Sequence, residues 1–166
     1  MSVSVTAEYD RGVAGKYITF QLAGEEYGIR IQSIREIVGM VNITQIPQTP
    51  GFIRGVINLR GRVIPVVDLR RRFEIPGQEY SERTPIIIAE IMVEGELHQI
   101  GIVVDSVTEV LQVHEEDVED PPSFGVRIDT SFLVGMAKKD AGISSLLDIE
   151  QVLTSAEFTT LQSLAE

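Results

Sequence analysis

Gly28–Val38 reads GIRIQSIREIV, and Gly101–Leu111 reads GIVVDSVTEVL. The second is an altered copy of the first. Gly28, Ile29, Ser33 and Glu36 return as Gly101, Ile102, Ser106 and Glu109, while Ile31, Ile34 and Ile37 return as Val104, Val107 and Val110. Further on, FIRGV at Phe52–Val56 returns as FLVGM at Phe132–Met136, and VVDL at Val66–Leu69 returns as LLDI at Leu146–Ile149. The first pair of segments is offset by 73 (101−28) and the second by 80 (132−52), so about seven residues are inserted between them in the second copy. The chain is one architecture built twice. What both copies share belongs to the fold, and what only one carries points to function.

The chain has 166 residues, of which 43% are hydrophobic. That length buries roughly two thirds of the unfolded surface, enough for a core without a disulfide or metal staple. There is no cysteine, which excludes disulfides, thiolate metal sites and a cysteine nucleophile. Net charge is −11 and the pI is about 4.6. That field repels phosphate backbones and anionic lipid, which argues against a nucleic-acid partner. No run approaches the ~18 apolar residues of a membrane span, so no membrane insertion is expected. Residues 1–15 are small and polar, include Glu8 and Asp10, and read as a disordered tail rather than a secretory signal.

Most of the chain reads as short strands. Lys16–Leu22 alternates Tyr17, Thr19, Gln21 against Ile18, Phe20, Leu22, the period of a half-buried strand. In Ser33–Val38, the apolar residues Ile34, Ile37 and Val38 fall at i, i+3, i+4, which predicts a short helix capped by Ser33, although the spacing also tolerates a strand. Arg54–Arg60 and Arg62–Leu69 form a hairpin turning at Gly61, with Pro65 marking an edge or irregular strand, and Arg70–Phe73 adds a helical turn. Thr84–Val93, His98–Val104, Val107–Val113, Arg127–Ala137 and Ile143–Ile149 are further strands. Residues 154–166 read as a C-terminal helix, with Phe158, Leu161 and Leu164 on one face. Two copies of a strand-rich unit predict a pair of small barrels, about 16–78 and 82–153, that share apolar surface along a seam where strands can be exchanged. Ile31, Val66, Val104 and Leu147, in matched apolar runs, are expected in the core.

Catalytic constellations are lacking. The two histidines, His98 and His114, stand apart, and without cysteine they make poor metal ligands. There is no Gly-x-Ser-x-Gly elbow, phosphate-binding loop or dinucleotide fingerprint, so no catalytic residue, metal or cofactor is assigned. Asp105-Ser106 and Asp129-Thr130 suggest an aspartic dyad, but Val107 and Ser131 follow them where glycine is wanted, and the two motifs are not equivalent in the repeat. That leaves a small β-barrel hydrolase as a remote alternative. Asp68 and Asp148 each end an apolar strand and read as caps of the following turn. Asn58-Leu59-Arg60-Gly61 stands where the second copy has Lys138-Lys139-Asp140-Ala141, so the fold does not demand it. Asn58 and Arg60 are therefore candidates for function, with turn stabilisation and strand solvation as the plain alternatives. Glu36 recurs as Glu109, which by itself favours a role in the fold.

GVINLRGRVIPVVDLR at Gly55–Arg70, EEYGIRIQSIREI at Glu25–Ile37 and GIVVDSVTEVL together resemble the signature of the CheW-domain family of bacterial chemotaxis proteins, and the likeness spans about residues 16 to 153. The same domain occurs in the kinase CheA and the adaptor CheV, but no phosphotransfer, ATP-binding or receiver domain accompanies it in this chain. The resemblance implies a mainly β fold of two SH3-like five-stranded barrels packed side by side, and a non-catalytic, cytoplasmic adaptor recruited to membrane-associated receptor arrays. The implied partners are the cytoplasmic tip of methyl-accepting chemoreceptors and the regulatory CheW-like domain of the histidine kinase CheA, in flagellar chemotaxis or in a non-flagellar chemosensory pathway. It places receptor contacts in the groove between barrels and at Ile34, Glu36, Asn58 and Arg60. It also makes Phe124 a contact in kinase–coupler rings, although Glu119 stands where some relatives carry a basic residue.

Overall fold

The computed structural model describes residues 12–120, 131–140, 142–153 and 157. The chain order is β1 (Gly15–Leu22), β2 (Glu25–Arg30), β3 (Ile34–Val38), β4 (Ile53–Leu59), β5 (Arg62–Asp68), a helical turn Leu69–Arg72, β6 (Ile86–Val93), β7 (Glu96–Val103), β8 (Ser106–Val113), β9 (Val118–Glu119), β10 (Leu133–Lys139) and β11 (Gly142–Leu147). The molecule is mainly β and has two sheets. One has six strands in the order β8-β1-β2-β11-β10-β9, one more than the five-stranded expectation, and the other has five in the order β3-β6-β7-β5-β4. The predicted C-terminal helix lies, apart from Glu157, outside the described residues, as does Phe124.

The repeat is visible in the pairing. Thr19 pairs with Gly28 and Glu109 in the six-stranded sheet, as Ile88 pairs with Gly101 and Glu36 in the five-stranded one. Each sheet takes its first hairpin from the other copy. β1 and β2 join β8, β10 and β11, while β6 and β7 join β3, β4 and β5. Four pairings make the exchange: β1 with β8 and β3 with β6 antiparallel, β2 with β11 and β5 with β7 parallel. Three core clusters follow. Ile57, Ile64, Val66, Ile86, Ile88 and Val103 fill the five-stranded sheet. Tyr17, Val113, Ala137 and Leu146 fill the six-stranded sheet. The largest cluster lies on the seam and draws Phe20, Leu22 and Ile29 from one sheet and Ile53, Val67, Ile87 and Ile91 from the other. Arg72 lies across this seam, its guanidinium 4.3 Å from the ring of Phe52 and 5.3 Å from that of Phe132, the same residue in the two copies.

Gly55 shows why the duplicated glycines persist. Its φ is +137°, and a Cβ there would lie 2.0 Å from the Thr44 carbonyl oxygen, which accepts from Val56 N at 2.8 Å. At Gly135 a Cβ would meet Val118 at 2.5 Å. Both glycines stand beside the same register shift, one between Ile53 and Gly55 and one between Leu133 and Gly135.

Ser33–Val38 departs from the helix reading. Ile31–Ser33 is a 3-10 turn, and Ile34–Val38 is strand β3. The apolar spacing misled because a bulge separates Ile34 from Glu36. Ile34 packs on the seam cluster and Val38 on that of the five-stranded sheet, while Ile37 faces outward. Ile31 is 38% exposed, against the expectation of burial, whereas Val66, Val104 and Leu147 are buried. Ile31 belongs to the 3-10 turn that carries the chain from one sheet to the other, so its matched position does not place it inside. Pro65 lies in an interior strand, one residue before β5 begins to pair with β7 at Val66.

Candidate functional site

β4 and β5 turn through Arg60 (φ +52°) and Gly61 (φ +86°), the two-residue turn whose twist matches a hairpin. Asn58 Oδ1 accepts from Gly61 N at 2.8 Å, so its side chain is used to hold the turn. The turn presents Arg60, 69% exposed, to Glu36 of β3, and the two form a charge-assisted hydrogen bond. β3 and β4 are the two ends of the five-stranded sheet, so the pair shows that the sheet rolls back on itself. The structure therefore brings Glu36, Asn58 and Arg60 to one rim. Ile34, on the same strand as Glu36, is half-buried and packs on the seam cluster.

The six-stranded sheet repeats the arrangement with different chemistry. Glu109, the counterpart of Glu36, is bound by Lys139, which also binds Glu26 at 2.8 Å. Lys139 occupies the position of Leu59, one residue before the position of Arg60, and only 22% of its side chain is exposed. The two carboxylates hold its ammonium, raising its pKa. One copy thus shows an exposed guanidinium and the other a sunken ammonium.

The two ends of the seam also differ. At one, Arg70 grips Asp105 with two hydrogen bonds, 2.7 Å from Nε to Oδ1 and 2.6 Å from Nη2 to Oδ2, and Asp105 also accepts from Ala23 N at 2.8 Å. The Arg70 hydrogen bonds lower the Asp105 pKa against the opposing effect of burial, and Ala23 N lowers it further. At the other end the repeat places Gln32 for Asp105 and Glu150 for Arg70, a combination that cannot form an ion pair. A groove of about 510 Å³ opens there, lined by Ile29, Arg30, Gln32, Ser33, Leu147 and Glu150 among others.

The aspartates read as caps behave as caps. Asp68 accepts from Arg70 N at 2.9 Å, and Asp148 accepts from Glu150 N at 3.1 Å. Asp68 is buried and also accepts from the Tyr80 hydroxyl, whose pKa is pushed up chiefly by burial and further by this hydrogen bond. Asp105 is committed to Arg70, and Asp129, its proposed dyad partner, lies outside the described residues. Among the described residues no group of three or more His, Asp or Glu is placed to hold a metal ion. No helix among them is long and apolar enough to cross a membrane.

Residue-by-residue reading missed the exposed apolar pairs. Ile37 and Val63 are exposed on the five-stranded sheet, and their counterparts Val110 and Ile143 on the six-stranded one. The repeat matches Ile37 with Val110 and Val63 with Ile143, but a matched apolar residue does not say which side of its strand meets water.

Residues 16–157 match the CheW-like domain. The chain belongs to the CheW-like domain family. Chemotaxis protein CheW of Klebsiella aerogenes is 38% identical over 154 residues, covering 93% of this chain and 90% of that protein. Chemotaxis protein CheW of Bacillus subtilis is 35% identical over 150 residues, covering 90% and 92% respectively. The crystal structure of the scaffolding protein TtCheW from Thermoanaerobacter tengcongensis superposes with a TM-score of 0.75 at 40% identity, covering 87% of this chain and 97% of that one.

Proposed function

We propose that this CheW-like protein is a non-catalytic scaffold of bacterial chemotaxis, joining the helical cytoplasmic tip of a chemoreceptor to the regulatory domain of the kinase CheA. The observation that carries the reading is the family match over nearly the whole described chain, together with the likeness to a solved scaffolding protein. The receptor hairpin lays an apolar stripe along the seam groove, the helix-in-groove mode, beside the rim of Glu36, Asn58 and Arg60. Ile34 stands with Glu36 on β3. Arg60 and Glu36 fix register and partner choice more than affinity. The kinase domain, itself CheW-like, docks on the apolar faces marked by Val110 and Ile143 and by Ile37 and Val63, with Phe124 as a further ring contact. The adaptor acts in the cytoplasm at receptor arrays. It passes a signal because its contacts differ between the receptor's signalling states. Of the two aspartates that a hydrolase dyad would use, Asp105 is held by Arg70, and Asp129 lies outside the described residues.

A paired titration tests this. Arg60→Glu is expected to weaken binding of a receptor cytoplasmic fragment at least ~10-fold, about 1.4 kcal/mol, with kinase-fragment binding unchanged. Unchanged receptor affinity would remove the rim from the site.

A further inference from the structure

The two first hairpins are not the same length. Beyond the Thr19–Gly28 pair, β1 and β2 run through Phe20–Tyr27, Gln21–Glu26 and Leu22–Glu25 before turning. Beyond the equivalent Ile88–Gly101 pair, β6 and β7 continue past Ile91–His98 to two additional pairs, Met92–Leu97 and Val93–Glu96. Val93 faces inward and is buried, while Met92 and Leu97 are 47% and 60% exposed. Directly opposed residues on one face touch, so the extension displays an apolar cross-strand pair to water. The first copy folds without it, so the fold does not require it.

The position of the extension gives it meaning. β3 pairs with β6 only as far as Ala89. Beyond that point Met92 N donates to Glu150 Oε2 at 3.1 Å, and Glu150 lines the seam groove. The hairpin tip is thus fastened to the groove's rim. Glu90, paired with Arg35 of β3 at 3.5 Å, lies between Ile88 and Met92 on the same side of β6. Glu36 stands across from Ile88. From that point to Met92 is four residues of strand, roughly 13 Å. A helix covers that span in about nine residues, and positions i and i+8 lie on one helical stripe.

We propose that the extended β6–β7 hairpin continues the face of β6 on which Glu36 stands, and that Met92 and Leu97 receive the apolar stripe of the amphipathic helical hairpin docked beside the Glu36–Arg60 rim. This rests on the reading of the groove and the Glu36–Arg60 rim as the receptor site. The chemistry selects the occupant: a helix with an acidic residue facing Arg60 and an apolar residue about two turns away against Met92 and Leu97.

The test uses the full chain carrying Met92→Thr with Leu97→Thr, which removes apolar surface and keeps strand preference. It is titrated against a receptor cytoplasmic helical fragment and a kinase regulatory-domain fragment, beside wild type and Arg60→Glu, with melting curves for all three proteins. The expected result is receptor binding weakened about 5- to 10-fold, kinase binding unchanged and the melting point held. If the double variant melts early, Leu97→Thr alone replaces it, expected to weaken receptor binding about threefold with an unchanged melting point. Wild-type receptor affinity in a hairpin variant, with loss in Arg60→Glu, would overturn the hairpin contact and leave the reading of the rim standing. Loss of kinase binding alone would make the hairpin a kinase contact and overturn the proposal. Full affinity in both variants would remove the reading of the rim itself.

Discussion

Arg60 and Glu36 are 24 residues apart and sit at opposite ends of the sheet order, yet their side chains form an ion pair. The pair has two effects, closing the rolled sheet and presenting charge at its rim. Surface ion pairs contribute only about 0–1 kcal/mol, so closure alone does not explain an exposed arginine in a chain of net charge −11.

The exchange of the two charges separates these roles. Glu36→Arg with Arg60→Glu restores an ion pair, and stability should return to within about 0.5 kcal/mol of wild type. Receptor binding should stay weakened about tenfold, because the partner now meets reversed charges. Denaturant melts and receptor titrations of both single variants and the double variant complete the cycle. Recovery of binding together with stability would mean that the pair acts only as a clasp.

Glycine substitutions separate strain from collision. Gly61→Ala meets no atom within 4 Å and suffers only from φ +86°, so about 1 kcal/mol is expected. Gly55→Ala must move the Thr44 carbonyl, 2.0 Å from the new Cβ, while that oxygen holds Val56 N. A loss of about 3 kcal/mol or more is expected. Equal losses at the two sites in urea unfolding would show that the Thr44 segment yields.

The repeat made the duplicated fold legible, because Gly55 with Gly135 and Asp68 with Asp148 fall at equivalent structural positions. Which hairpin joins which sheet was not legible. The parallel contacts of β2 with β11 and β5 with β7 join distant segments, and a period of two does not name a partner. Helix and strand were confused at Ile34–Val38 because an outward Ile37 beside a bulge imitates helical spacing. At the site, the repeat drew attention to Arg60 and Asn58, but assigned Glu36 to the fold. The structure explains that, since both copies bind this glutamate, one through Arg60 and the other through Lys139.

Acid should loosen the end of the seam held by Arg70 and Asp105. The Asp105 pKa is lowered in the folded state, chiefly by hydrogen bonds from Arg70. Its contribution is therefore complete above the unfolded carboxylate pKa of about 3.9 and is lost as pH falls through the lower folded value. Asp105→Asn should be less stable than wild type at pH 7, and the difference should shrink steadily below about pH 4. Urea midpoints from pH 7 to pH 2.5 measure this. A constant difference across that range would show that the Arg70–Asp105 charge interaction adds nothing to folding.

Ser144 offers the opposite case, a polar group the fold would do better without. It stands where the first copy has Ile64, facing Ala137 where that copy has Ile57. The six-stranded sheet fills its interior with Tyr17, Val113, Ala137 and Leu146. Ser144 is fully buried, and among the described residues its hydroxyl has no hydrogen-bond partner. An unpaired buried hydroxyl costs about 1–3 kcal/mol of desolvation, and removing it leaves a hole of only one oxygen. Ser144→Ala should hold or raise stability by up to about 1 kcal/mol. Ser144→Val, which adds methyl groups beside Ala137, should gain more if the interior has room and lose about 1–3 kcal/mol if it does not. A clear loss on Ser144→Ala, measured by thermal melting, would show that the hydroxyl is bound by an ordered water that the fold needs.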